Sequence, residues 1–233
     1  MNDIDAYGDP EKYILYQLVR PDYCEAITTL LACYKKFTPK KKELLVADFC
    51  AGIGSNSKIF AEIANCKCIF LIDTNKDFLA KSRKIGILSK EVHTICADAV
   101  HTILDKKCDI ALSVFAYHHI SDARKQKYLK TIARNLKKGG ILYVAEIYLT
   151  KKHVNQYYNT VLQAVPSEKQ SKDLVAFIQQ TAASNDFEFK VPKSFAEPQF
   201  IQAGFQKIFE KKMWPLNNFE AQEGMFVQVF KKV

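Results

Sequence analysis

The sequence predicts an α/β chain built on a mostly parallel, doubly wound sheet and ended by an antiparallel strand pair. Short apolar runs alternate with helical stretches from residue 44 to residue 149, the rhythm of strands joined by right-handed helical crossovers. Within those runs Val, Ile and Leu are continuous, as they are in strands buried on both faces. After residue 150 the rhythm fails, and two runs at 205–214 and 224–232 close the chain. Such a pair usually places one antiparallel strand at that edge of the sheet.

In chain order, residues 10–34 hold two short helices broken at Arg20 and Pro21, because the residue before a proline avoids the helical region. Ile27, Leu30, Leu31 and Tyr34 fall at helical spacing and form an inward face. A lysine-rich connector, 35–42, leads to LLVADF (44–49), too short for a helix and read as a buried strand. CAGIGS turns into a helix expected over 57–65. CIFLID (68–73), VHTICA (92–97) and CDIALSV (108–114) are the next strands, a helix runs through ARKQKYLKTIARNLKKGG, and ILYVAEIYL (141–149) is the fifth strand. A helical insertion follows, then a helix in PQFIQAGF stopped by Gly204, then the terminal strands.

The 233 residues, 48% hydrophobic and 25% charged, exclude disordered and low-complexity classes and suffice for one large domain. We divide it into N-terminal helices (1–40), a core (41–150), a helical lid (151–195) and a last helix with the strand pair (196–233). No apolar run reaches the eighteen or so residues needed to span a bilayer, and MNDIDAYGDPEK is acidic and polar where a secretion signal is basic and then apolar. A cytoplasmic location without membrane contact is expected. The seven cysteines are odd in number and lack a CxxC pair, which argues against disulfides and against structural zinc. The net charge of +9 leaves nucleic acid, an anionic substrate or a lysine-rich surface open.

The most informative segment is VADFCAGIGS (46–55), a strand that ends in the carboxylate of Asp48 and turns through Gly52 and Gly54 into a helix. Such turns let backbone approach a ligand and present helix-terminal N–H groups to it; the plain alternative is a tight turn in an ordinary α/β domain. Asp73 closes the second strand, 21 residues after Gly52, where a carboxylate that accepts from ribose hydroxyls is expected. Asp98 follows the third strand and is placed either to accept from an adenine amino group or to cap a helix. A dinucleotide dehydrogenase fits less well. Its third glycine position is Ser57 here, and Asp48 would repel a pyrophosphate.

These residues resemble the class I S-adenosylmethionine-dependent methyltransferases, over residues 44–149 and more faintly in IQAGFQKI and VQVF. Asp48, Gly52 and Gly54 match the family's first motif, with Cys50 at its first glycine. YHHISD (117–122) and NLKKGGILYVAE (135–146) are similar to the segments around strands four and five. RPDY (20–23) is similar to a stretch that precedes the core in some small-molecule methyltransferases. The resemblance implies a Rossmann-like sheet of seven mostly parallel strands, the last antiparallel, with S-adenosyl-L-methionine as cofactor. It implies cofactor contacts at Asp48, Cys50, Ala51, Gly52, Gly54, Asp73, Thr74, Asp98, Ala99 and Val114, with Tyr16 and Arg20 closing from the N-terminal helices. Tyr23 is a further candidate for that closure.

His118 and His119 are candidates for a base or a substrate-orienting role; the plainer reading packs or caps with them. Adjacent histidines are expected to point apart, so no metal site is expected. Tyr148, Tyr157 and Tyr158 either line an acceptor pocket or fill the insertion's own core. The expected activity is methyl transfer to a small-molecule acceptor. Transfer to RNA or protein, and cofactor binding without catalysis, are the alternatives. Lys35, Lys36, Lys40 to Lys42, Lys67, Lys106, Lys107, Lys137 and Lys138 precede strands, whereas Asp48, Asp73, Asp98, Asp122 and Glu146 gather at the ligand edge. A basic back and an acidic, cation-friendly front are therefore expected, with Lys151, Lys152, Lys169 and Lys172 of the insertion in reach of a phosphate.

Overall fold

A computed structural model describes residues 10–40, 43–167, 171–183, 188–215 and 221–233. Lys41, Lys42 and Lys169 lie outside the described residues. Helices α1 (Pro10–Leu18) and α2 (Tyr23–Phe37) are separated where Arg20 and Pro21 break the pattern, with Asp22 in the left-handed region at φ 53°. Strands β1 (Leu44–Phe49), β2 (Cys66–Asp73), β3 (Glu91–Cys96), β4 (Cys108–Val114) and β5 (Leu136–Tyr148) alternate with α3 (Ser55–Ala61), α4 (Lys76–Ser82) and α5 (Asp122–Asn135). The insertion is α6 (Lys151–Gln163) and α7 (Ser171–Ala183), and α8 (Lys193–Gln202), β6 (Phe205–Trp214) and β7 (Gly224–Lys232) complete the chain.

The seven strands form one sheet in the order β3-β2-β1-β4-β5-β7-β6. β1 to β5 pair in parallel, and β7 runs antiparallel to both β5 and β6. Continuous apolar strands are needed because both faces are covered. Val46, Leu71, Ile110 and Tyr143 pack under α2, α3, α6 and α7, and their neighbours Ala47, Ile72, Ala111 and Leu142 pack under α5 and α8.

β5 and α3 depart from the sequence reading, and β2 begins two residues earlier, at Cys66. β5 begins at Leu136, because Leu136 pairs with Cys108 and a bulge with Gly139 at φ +79° carries the chain into the strand; the helix ends at Asn135. α3 starts at Ser55 and ends at Ala61, shorter than expected. The basic back is present at the start of β5, where Lys137 bonds Asp109 at 2.9 Å. No helix among the described residues is long and apolar enough to cross a membrane.

Strand order reverses between β1 and β4, the position at which open α/β sheets leave a crevice at their carboxyl ends. At the other edge, Gly224 opens β7 at φ +119°, and a Cβ there would stand 1.9 Å from the carbonyl oxygen of Trp214. Gly224→Ala is expected to destabilise the fold by about 3 kcal/mol through backbone strain and overpacking, read as a lower urea midpoint at unchanged slope.

Candidate active site at the carboxyl edge of the sheet

The turn after β1 is held by backbone conformations that few side chains adopt. Cys50, Gly52 and Gly54 have φ of +60°, +54° and +78°, all in the left-handed region that favours glycine. A Cβ on Gly54 would press on Ser82, Ile87 and Leu71 at 3.3–3.4 Å, so this glycine also permits close packing of turn against helix. Above Gly52 the nearest atoms belong to the rings of Phe78 and Tyr13. Tyr13 stacks near Phe78 with ring centroids 5.2 Å apart, a neighbour of the turn that the sequence reading missed.

Asp73 accepts from the backbone N–H of Gly52 and of Asn75, each at 2.8 Å. One carboxylate oxygen thus ties β2 to the glycine turn, and the other ties it to its own loop. With the Thr74 N–H also directed at it, the carboxylate retains room for a further donor. Asp48 is buried under the turn and accepts from the Ser57 hydroxyl at 2.7 Å. Burial pushes its carboxyl up to about 7 against the effect of that hydrogen bond. Ala51 donates its N–H to Ile72 O at 3.0 Å and Thr74 is exposed beside Asp73. Val114 is buried at the end of β4. Ala99 is buried in the core under α5, and Asp98 accepts from Val100 N at 2.9 Å and pairs with Arg124. The loop-capping role therefore occupies much of Asp98.

Phe115 follows β4 with φ 53°, an unusual conformation for a bulky residue and one that collects at functional sites. It leads into a 3-10 turn, Tyr117–His119. Glu146 of β5, fully buried, accepts from the His118 N–H at 3.2 Å, the Ile147 N–H at 2.7 Å and His118 Nδ1 at 2.5 Å. With Nδ1–H committed to Glu146, His118 Nε2 carries its lone pair into the site, and no hydrogen-bond partner for it is found among the described residues. Burial, then the nearby Lys190, Arg20 and Lys125 cations, push His118 well below its ordinary value, so the imidazole is neutral. Burial holds the Glu146 carboxyl above its ordinary value.

The turn has its own clamp. Lys125 of α5 is fully buried and donates to the carbonyls of Tyr117, at 3.1 Å, and Ile120, which flank the two histidines. Burial lowers its ammonium to about 8.

The insertion returns over this edge along residues 188–191. Phe189 N donates to His118 O at 2.6 Å and Leu149 N donates to Val191 O at 3.0 Å, which brings Glu188 and Lys190 in over the strand ends. The two side chains are paired and nearly inaccessible to solvent. Glu188 accepts from Tyr158 and, at 3.5 Å, from Tyr16; Lys190 Nζ donates to the Tyr158 hydroxyl at 3.0 Å. Burial and Arg20 push the Lys190 ammonium well below its ordinary value. Arg20 is itself buried, its guanidinium 4.5 Å from the Tyr16 ring and 5.1 Å from the Phe115 ring.

Several expectations change. The rings of His118 and His119 lie side by side, with centroids 4.0 Å apart, and do not point apart. The front is not uniformly acidic, since Arg20, Lys125 and Lys190 stand buried among Glu146 and Glu188. Tyr148 does not line a pocket: its hydroxyl donates to Gln228 at 2.8 Å and its ring packs on Phe226 in the core. Tyr23 bonds Gln17 at 3.1 Å and packs against Phe115. Glu188, Lys190 and Lys125 were missed; a charged residue inside an otherwise apolar helical face, as Lys125 is, was the one available signal.

Residues 46–140 match a family model described as a methyltransferase domain. No curated protein sequence matches. Among solved structures, the chain is similar to the PH0226 protein of Pyrococcus horikoshii OT3, with TM-score 0.64, 18% identity, and 91% of each chain covered. It is similar to the 1,6-didemethyltoxoflavin-N1-methyltransferase of Burkholderia thailandensis, solved with 1,6-didemethyltoxoflavin and S-adenosylhomocysteine, at TM-score 0.59 and 14% identity over 89% of this chain and 78% of that one. The magnesium protoporphyrin IX methyltransferase of Synechocystis PCC 6803, solved with bound SAM, gives TM-score 0.60 and 10% identity over 91% and 80%. At these identities the likeness is one of fold.

The buried Asp48 generates a test of this geometry. Its folded-state value near 7 lies above the ordinary 3.8, so the folded state binds more protons across that interval and loses stability as pH rises through it. Asp48→Asn removes the effect. The variant is expected to gain on the order of 2 kcal/mol relative to the parent between about pH 5 and pH 8, measured by urea unfolding at both pH values.

Proposed function

From the premise that its core, residues 46–140, is a methyltransferase domain, which takes S-adenosyl-L-methionine as methyl donor, we propose that this chain methylates a small-molecule acceptor. The acceptor is held between the ends of β4 and β5 and the segment returning from the insertion. The observation that carries the acceptor side is the Glu146–His118 pair, which presents an unprotonated Nε2 in a water-poor site.

The residues fit the cofactor. Asp73 retains acceptor capacity beyond the backbone donors of Gly52, Asn75 and Thr74, which suits a ribose hydroxyl. The left-handed Gly52 carries the turn past the Tyr13 and Phe78 rings, which stand 3.9 and 3.7 Å from where a Cβ would be. Arg20, stacked between Tyr16 and Phe115, offers a guanidinium to a carboxylate. Bound there, the cofactor supplies an already activated methyl group.

The chain's own work is then placement and proton removal. Rigid strand ends and the strapped 188–191 segment hold the acceptor in line and exclude water, and orientation of this kind accounts for roughly 7–11 kcal/mol of a barrier. His118 Nε2 takes the acceptor's proton, and Glu146 fixes the tautomer and stabilises the imidazolium that forms. Lys125 keeps the histidine turn in place. The aromatic rings of Tyr16, Phe115, Tyr157 and Tyr158 around Arg20 and Lys190 favour a planar acceptor. In this reading, 1–40 covers the cofactor, 41–150 binds it, 151–195 encloses the acceptor and 196–233 completes the sheet. Enclosure by the insertion supports a small acceptor over RNA or protein.

Incubating the chain with methyl-labelled cofactor and fractionated lysate tests the acceptor class. Label in the small-molecule fraction is expected. Label in RNA or protein refutes the acceptor assignment, and label in none refutes turnover.

Two further outcomes are expected. Asp73→Ala abolishes cofactor binding in calorimetry while the protein stays folded. His118→Gln lowers kcat by about 10²- to 10⁴-fold with cofactor binding retained. In the parent enzyme, because burial pushes His118 well below the ordinary 6.5, the base stays unprotonated through neutrality. kcat/KM is therefore flat there and falls only on the acid side of 6.5.

A further inference from the structure

Two groups of metal-ligating side chains stand out among the described residues. One is His118, His119 and Glu188 in the active site. A divalent ion there would sit against the Lys190 ammonium, which already neutralises Glu188, with Lys125 and Arg20 close by. His118 Nδ1 is also committed to Glu146. That charge environment favours the base role over a metal.

The other group lies at the opposite end of the sheet. Cys68 of β2 is in direct register with Glu91 of β3, and Phe70 with His93. Residues in parallel register share a face, and so do residues two apart on one strand. Cys68, Glu91 and His93 therefore point to the same side. Their ligand atoms all lie within 4.8 Å of one another, and His93 Nε2 is 3.3 Å from Glu91 Oε2. Phe70 stacks on the His93 ring, with centroids 5.4 Å apart and planes 20° apart, and so holds the imidazole toward the other two ligands. β3 is the edge strand of the sheet, and the side chains of His93 and Glu91 are 53% and 56% exposed. Cys68 itself is buried, so an ion would reach it from the solvent side through His93 and Glu91.

We propose that Cys68, Glu91 and His93 bind one zinc ion that staples the edge strand β3 to β2. The donor set decides the metal: thiolate and imidazole suit zinc, whereas magnesium and calcium demand oxygen ligands. Three protein ligands and one water complete a tetrahedral site. Coordination replaces the sulfur–hydrogen bond of Cys68 by a sulfur–zinc bond, and the thiol proton passes to solvent. The site is remote from the methyl-transfer residues, so bound zinc acts on the stability of β3, the strand that leads to Asp98.

The full-length chain, reduced with a phosphine, is titrated with zinc against a chromophoric chelator and separately with cobalt. One equivalent of zinc, a thiolate-to-cobalt charge-transfer absorption, and a zinc-dependent rise in Tm are expected. His93→Gln changes an exposed side chain and leaves the fold intact, and Cys68→Ser preserves shape. Each is expected to weaken zinc by more than the roughly 10- to 100-fold that follows loss of an outer-shell partner, whereas His118→Gln leaves the stoichiometry at one. Undiminished zinc binding in His93→Gln or Cys68→Ser, cobalt bound without the thiolate absorption, or loss of the equivalent in His118→Gln overturns the proposal.

Discussion

The site depends on a carboxylate that has no access to water. Glu146 sits inside β5, fully buried, where an ionised group is tolerated only if its lone pairs are filled. The His118 N–H, the His118 ring and the Ile147 N–H fill them. Because two of those donors belong to one residue beyond β4, satisfying the carboxylate fixes the position and the tautomer of the histidine together. Breaking one partner leaves the other buried and unsatisfied, which penalises every alternative arrangement of the turn. The left-handed Phe115 and the Lys125 clamp on Tyr117 and Ile120 fit this scheme: the surroundings hold an irregular turn whose geometry one buried carboxylate defines.

The insertion is bound to the same point. Phe189 donates its N–H to the carbonyl of His118, so the residue that Glu146 positions also anchors the returning chain. From that anchor, Glu188 and Lys190 take their places beside Tyr16 and Tyr158, and α1, α6 and the sheet edge are joined through one polar cluster. The packing of α6 and α7 on one face of the sheet comes from apolar residues such as Tyr157, Val161, Leu174 and Ile178. Apolar burial holds the insertion on the sheet; the hydrogen bonds at 188–191 set its register over the strand ends.

Much of this was legible from short-range pattern. LLVADF, CDIALSV, FQKIFEKKMW and GMFVQVFKK are strands over the expected residues, because a fully buried strand writes its burial into a continuous apolar run. The start of β5 was not legible, since Lys137 to Gly140 reads as a helix end and only pairing with β4 makes it extended. Asp73, Gly52 and the histidine turn lie at strand ends as expected, because strand ends can be located from the runs. Glu188, Lys190 and Lys125 were not, because their place is decided by how the insertion and α5 pack. Tyr148 shows the same limit: as the last residue of β5 it stands where a pocket residue would, yet its side chain faces α8 and Gln228. Cys68 meets Glu91 and His93 only across a strand pair, a proximity that linear spacing does not display.

The distribution of charge changes meaning once side chains are placed. From sequence, the ligand edge looked acidic and the back basic, an arrangement suited to a cationic cofactor. In the folded chain Asp48 and Asp73 keep that character around the glycine turn, while Asp98 is drawn to Arg124. Around the histidine turn Arg20, Lys125 and Lys190 are interleaved with Glu146 and Glu188. In a low-dielectric site, opposite charges this close strengthen one another and penalise any unpaired arrival. A proposed acceptor entering there would be discriminated by whether it replaces the hydrogen bonds it interrupts, so its polar pattern would weigh more than its net charge. The excess of lysine that dominates the composition therefore says little about the substrate. The selective charges are the few that the fold has taken out of water.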